Sequence, residues 1–337
     1  MPDVSDLPQQ SRRPHRLRRV AMPVVLAAAA VAGVVAVPVV VTRAAAPQPG
    51  VSAAASSSAS AVPTATGTPA PTSPVPRIPA RPVLLAMADR LVEAPADITS
   101  GTYSYVETRS WANVNVLTTP ADRNTFVQEV HYQQLWRDRR SNGRVIVMDE
   151  TSGCDIEGGS GPRPPDFFGP PAVTDPVKLR RQLLAAGGPG SPGSEGTAIT
   201  GGVAGAAEQE TLRRPVRAAM LRLLADIPGL LVRQPVTDQA GRPGIDVILP
   251  YLAEQRTPIE HTLTFAPDTG VLLASSYRLT GPSASSSSTQ ADENIAMFRA
   301  SFDNAYRLYL TSTFTPTSSA PPPACVPVTR TPSPLAS

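Results

Sequence analysis

Residues 21–41 read AMPVVLAAAAVAGVVAVPVVV, an apolar run without a single charge. Its length matches the roughly 20 apolar residues that a helix needs to cross the hydrocarbon core of a bilayer. Arg12, Arg13, Arg16, Arg18 and Arg19 stand just before it, against only Asp3 and Asp6. By the positive-inside rule this basic end stays in the cytoplasm, and everything after Thr42 faces outward. Pro23 and Pro38 fall near the two ends of the run, where a missing backbone N–H costs least. A cleavable signal peptide is the rival reading. Ala44-Ala45-Ala46 offers small residues for cleavage, and Arg12-Arg13 a twin-arginine pattern. Against it, the run exceeds the about 7–15 apolar residues of a signal peptide, and Arg43 lies just past it. An anchored protein is single-pass and a cleaved one is secreted; both place the folded part outside the cytoplasm.

Charge adds little to that reading. The formal net charge is +3, and the basic cluster before the apolar run accounts for it. The rest of the chain is balanced, which gives no footprint for nucleic acid. Residues 43–82 and 312–337 are dominated by Ala, Pro, Ser and Thr. Such stretches bury too little apolar surface to offset the entropy of ordering them, so they read as an extended linker and a disordered tail. The expected organisation is a short basic cytoplasmic segment (1–19), a membrane helix or signal anchor (20–42), the linker, one extracytoplasmic domain (83–311) and the tail.

Within the domain the hydrophobic period changes twice. Leu84, Leu85, Met87, Ala88, Leu91 and Val92 recur at helical spacing over 83–93. After Gly101 the period becomes two. Tyr103 and Tyr105 share a face over 102–110, and Phe126, Val130, Tyr132 and Trp136 alternate with Glu129, His131 and Arg137. Ser141-Asn142-Gly143 reads as a tight turn before a return strand at 145–148. The Gly/Pro-rich stretch 151–171 reads as loop. Asp175-Pro176 opens a helix to about 184, as N-cap and first helical residue. A second helical region is expected over about 205–227, divided at Pro215. Short β-type runs follow at 230–236, 244–249, 260–265, 271–279 and 306–311, with turns at 238–243 and 267–270. Strands, then helices, then strands argue for an α+β fold with an antiparallel sheet packed on helices.

Cys154 and Cys325 are the two cysteines. In an oxidising compartment an even count points to a disulfide. Here it would close a loop of roughly 170 residues and stabilise by up to about 4–5 kcal/mol in the chain-entropy model. Two free thiols are the other reading.

No catalytic constellation stands out. Asp268-Thr269-Gly270 matches the aspartic-protease triplet, but that chemistry needs a second carboxylate and no second triplet exists. His131 and His261 lie on separate expected strands and read as solvent-facing. No His/Cys/Asp cluster has metal-ligand spacing, and no cofactor is expected. Gly158-Gly159-Ser160-Gly161 lacks the Lys and helix start of a phosphate loop. The aromatic set Tyr103, Tyr105, Phe126, Tyr132 and Trp136 carries two readings. It is either the buried face of the sheet, or the wall of a cleft for an acyl chain or an apolar peptide.

The run Arg217-Ala218-Ala219-Met220-Leu221-Arg222-Leu223-Leu224-Ala225-Asp226-Ile227-Pro228-Gly229 is followed by Val236-Thr237-Asp238, Gly241-Arg242-Pro243-Gly244 and Phe265-Ala266-Pro267-Asp268-Thr269-Gly270. This order resembles a family of uncharacterised membrane-anchored proteins of high-GC Gram-positive bacteria, and Thr174-Asp175-Pro176 is similar to a helix start there. The resemblance implies no established activity and no catalytic residues. Some members look like relatives of sigma-factor regulators. The roughly twenty residues before the apolar run are too few for a folded anti-sigma domain. A weaker likeness is to the half-barrel of lipoprotein carriers and envelope-stress sensors, in which a curved antiparallel sheet wraps helices. The function expected from all this is a non-enzymatic binding or sensor domain at the cell envelope, its ligand a lipid, a peptide or an envelope protein. A structural envelope protein is the alternative, and a hydrolase using His131 or His261 a further one.

Overall fold

The computed structural model describes residues 76–95, 97, 100–115, 126–151, 153–156, 160–163, 169–187, 195–252, 258–281, 305–319 and 332–333. The apolar run at 21–41 and the linker up to residue 75 lie outside the described residues. No described helix is long and apolar enough to cross a membrane.

In chain order the elements are β1 (Arg77–Pro79), α1 (Ala80–Glu93), β2 (Tyr103–Asn115), β3 (Phe126–Asp138), β4 (Gly143–Asp149), β5 (Asp155–Ile156), β6 (Gly161–Arg163), α2 (Pro176–Ala186), α3 (Glu195–Gln209), α4 (Arg214–Ala225), β7 (Leu231–Thr237), β8 (Pro243–Leu252), β9 (Pro258–Phe265), β10 (Leu272–Leu279), β11 (Tyr306–Thr315) and β12 (Pro332–Ser333). The fold is α+β. All the strands belong to one antiparallel sheet, curved and unclosed, ordered β1-β7-β8-β9-β10-β11-β2-β3-β4-β5. The short strands β6 and β12 attach to β4 and β3. The late strand β11 sits between β10 and β2 and joins the N-terminal and C-terminal halves of the sheet into one layer.

The helices form where the sequence supplies an apolar stripe or a cap. In α1, Ala80, Leu84, Met87, Ala88 and Leu91 are buried at helical spacing. Asp175 caps α2, its Oδ1 accepting from the Lys178 N–H at 2.8 Å, with Pro176 in the first turn. Pro215 lies in the first turn of α4, which buries Val216, Met220, Leu221 and Leu224. These stripes pack against Val232, Ile245, Val247, Leu249, Leu263 and Phe265 of the sheet in the main core.

Three expectations need correction. The second helical region does not begin near 205. The region does divide at Pro215, but its first helix, α3, starts at Glu195, inside a stretch whose glycines argue against helix. Contact with α2 decides this: a Cβ at Gly202 would overlap the Leu183 backbone, and one at Gly187 the Ala198 carbonyl. Only glycine lets the two backbones meet. The domain also reaches beyond 83–311. Residues 77–79 pair with β7, β11 continues to Thr315, and Pro332–Ser333 of the expected disordered tail pairs with β3. Finally, His261 is buried, 1% exposed, and does not face solvent.

Candidate functional site

Antiparallel register sorts the strand residues onto two faces, because successive side chains point opposite ways. One row runs His131, Ser110, Arg307, Ser275, Leu263, Val247, Val232 across seven neighbouring strands. Its last three members lie in the core under the helices. The adjacent row runs Val130, Trp111, Tyr306, Ser276, Thr262, Ile248, Leu231 on the other face. No described helix packs on that second face. It carries two distinct patches, one aromatic and one charged.

The aromatic patch holds most of the candidates read from sequence. Tyr105, Tyr132 and Trp136 gather with Ile146 and Met148, with partly buried Tyr103 and Leu310 at the margin. Tyr105 and Trp136 are cross-strand partners with ring centroids 5.1 Å apart. The side chain of Phe126 lies outside the described residues. Both tyrosine hydroxyls converge on Glu107: Tyr132 donates to one carboxylate oxygen and Tyr105 to the other at 3.3 Å. Gln134 Nε2 donates to the Tyr105 and Tyr132 oxygens at 3.0 and 3.2 Å. Burial, then the Glu107 charge, pushes the Tyr105 hydroxyl up to about 12. Tyr132 is raised by burial and by its bond to Glu107. The patch is therefore gathered but closed, with Tyr105 7%, Tyr132 3% and Trp136 1% exposed.

The charged patch was not singled out from the sequence. A groove of about 240 Å³ is lined by Arg233, Asp246, Glu260, Thr262, Arg278 and Tyr306 among others. Glu260 is buried and accepts from Arg77 and, at 2.6 Å, from Arg278. Burial would raise its pKa, but the two guanidinium groups override this and hold the carboxyl below the usual range. Asp246, also buried, accepts from Arg233 at 2.6 Å and from the Thr264 hydroxyl at 2.7 Å. The carboxylates are sealed while their arginines reach water, the Arg278 side chain being 60% exposed. At the groove's end Tyr306 meets Trp111, ring centroids 5.7 Å apart, and Arg109 lies over Trp111 at 5.0 Å. One signal in the sequence pointed here. Asp246 interrupts the apolar run Ile245–Leu249, as a residue turned to the opposite face does.

The histidines are not brought together. His131 Nε2 lies 3.1 Å from Glu129. His261 sits under α3, stacked on Tyr277 at 4.2 Å, with Nδ1 3.0 Å from the Thr200 hydroxyl. Four strand spacings separate β9 from β3, about 19 Å. The turn at 266–270 is a hairpin turn, closed by Gly270 N–H to Ala266 O at 2.9 Å with Gly270 at φ 61°. Cys154 is not a free thiol but disulfide-bonded, while Cys325 lies outside the described residues. Among the described residues no group of three or more His, Cys, Asp or Glu could hold a metal ion. Comparison of the chain with protein-family models, with curated proteins and with solved structures finds no match.

Proposed function

We propose that this chain is a non-enzymatic binding domain, anchored to the cell membrane through residues 21–41 with its folded part outside, that takes an extended peptide segment of an envelope protein on the face of its sheet opposite the described helices. The observation that carries the reading is the groove over β7–β10, where buried Asp246 and Glu260 orient arginines whose outer N–H groups meet solvent. Guanidinium groups fixed in this way have already lost much of their rotamer entropy and keep donors for peptide carbonyls and carboxylates. Trp111 and Tyr306, their rings tilted 58° to each other, supply aromatic contact area beside them. The curved, unclosed sheet with helices on one side supports the half-barrel likeness. The space between helices and sheet is filled by Leu84, Met87, Leu221, Leu263 and Phe265, so a peptide on the outer face is favoured over an acyl chain within.

The test is binding of the full chain, reconstituted in lipid nanodiscs, to an array of extended envelope-protein peptides. Acidic peptides should be retained, and an Arg233→Ala/Arg278→Ala double variant should lose at least about tenfold in affinity, the scale of one or two charge-assisted hydrogen bonds. Binding that ignores both substitutions would sink the reading. An acyl species co-purifying in native mass spectrometry would move the ligand to lipid.

A further inference from the structure

Charge is shared unevenly along the groove. Asp246 accepts from Arg233, and Asp238 from Arg242, one arginine to each carboxylate. Glu260 takes two. Arg77 donates to both of its oxygens, to Oε2 at 3.2 Å, and Arg278 donates to the same Oε2 at 2.6 Å. Among the described residues these ion pairs set four arginines against three carboxylates, so the excess positive charge lies at the Glu260 end. The Arg278 side chain is 60% exposed and Glu260 only 7%. Arg278 is the group a ligand meets, and the buried carboxylate decides how much of its charge is left to act outward.

Arg77 stands outside the groove lining. It belongs to β1, the end strand of the sheet, and β7 and β8 lie between it and Glu260 on β9. The backbone hold on β1 is short: three residues paired with β7, Pro79 among them without an N–H, and then the Ala80 N–H donating to Leu230 O at 3.0 Å. The Arg77 side chain adds a tie to the groove that this pairing does not supply. A buried carboxylate left without a partner is costly. Without Arg77, Glu260 would keep Arg278 as its whole counter-ion and cancel the charge that Arg278 presents to solvent.

We infer that Arg77 is a positioning residue for the groove: by sharing Glu260 it leaves Arg278 the net charge that takes a carboxylate of the bound segment, so that ligand binding and the seating of β1 reinforce each other. The inference rests on the peptide function proposed above. When a ligand carboxylate draws on Arg278, Glu260 depends more on Arg77, and through it β1 is held to the sheet; linkage requires the converse as well. The test uses the full chain in lipid nanodiscs, with a synthetic peptide of alternating Glu and Ser as the probe. Arg77→Ala should weaken its binding about tenfold, the scale of one charge-assisted hydrogen bond. Adding Glu260→Gln removes the carboxylate that would neutralise Arg278, and should bring binding back to within about threefold of the natural chain. A loss caused merely by a displaced strand is not restored in this way. In the natural chain, saturating peptide should slow hydrogen exchange over 77–80 by at least about threefold, a result that needs no variant to fold. Binding unchanged by Arg77→Ala, a loss that Glu260→Gln does not restore, or exchange over 77–80 indifferent to the peptide would each overturn the inference while leaving the groove a peptide site. A natural chain that fails to retain the probe would remove the peptide function and this inference with it.

Discussion

At the scale of single residues, buried charges and one buried imidazole set the clearest expectations. Glu260 is held by two partly exposed arginines, Arg77 and Arg278. Removing either leaves the other in place, so Arg77→Ala or Arg278→Ala alone should cost about 1 kcal/mol or less. Removing both strands a buried carboxylate, and the double variant should lose about 3 kcal/mol, more than the sum. Urea titrations of the four proteins check this; strict additivity would refute it. His261 bears on pH. Thr200 Oγ1 donates to Thr197 O, so it accepts from His261 Nδ1–H, and burial depresses the imidazole from 6.5 to about 3. The folded state stays neutral where the unfolded state takes up a proton. Stability from this group is complete above pH 6.5 and falls by about 1.4 kcal/mol per pH unit as the pH drops toward 3. Between pH 7 and 5 the natural chain should lose about 2 kcal/mol that a His261→Gln variant keeps. Glu260 titrates lower, since its depressed carboxyl loses its contribution only as the pH falls below 4.5.

Among the elements, α3 is the one that local sequence describes least well. Its sequence EGTAITGGVAGAAEQ buries only Ile199, Val203 and Ala207 as an apolar stripe, and polar contacts tie it to the sheet. Tyr309 donates to Ala204 O at 2.9 Å, and Arg307 pairs with Glu208. Two of its glycines should behave oppositely. Gly202→Ala places a methyl on the Leu183 backbone and should destabilise by about 2 kcal/mol or more as α2 and α3 are pushed apart. Gly205 has open space around it, and Gly205→Ala should stabilise by up to about 1 kcal/mol through helix propensity. Thermal unfolding of the two variants separates a packing glycine from a merely tolerated one. By contrast, α1, α2, the return strand β4 and the 266–270 turn were legible because each rests on neighbours in sequence: a stripe, an Asp cap, an alternating run, a glycine at positive φ.

Over the whole molecule, the sheet is one continuous ladder although its two halves bury different cores. The helices pack on β7–β10 and reach Tyr309 of β11 and Val106 of β2, while Tyr105, Tyr132 and Trp136 form a separate cluster on the other face of β2 and β3. Both tryptophans, Trp111 and Trp136, lie in the second half, so fluorescence reports there and far-ultraviolet circular dichroism reports largely on the helices. The β11–β2 pairing from Tyr306↔Trp111 to Thr315↔Tyr103 bridges the halves. The two signals should therefore trace a single superimposable thermal transition. An earlier fluorescence transition would make the aromatic half its own folding unit.

The sequence determined the α+β class, the positions of most strands and turns, and the sharing of one face by the aromatic residues, because hydrophobic period and turn chemistry act between near neighbours. Tertiary structure decided where β11 and β12 insert, how far α3 extends, and that Asp246 and Glu260 would meet arginines on other strands. Those outcomes depend on register between segments up to 183 residues apart, as for Arg77 and Glu260. Such pairing is set by the fit of whole faces, which no local run of residues encodes.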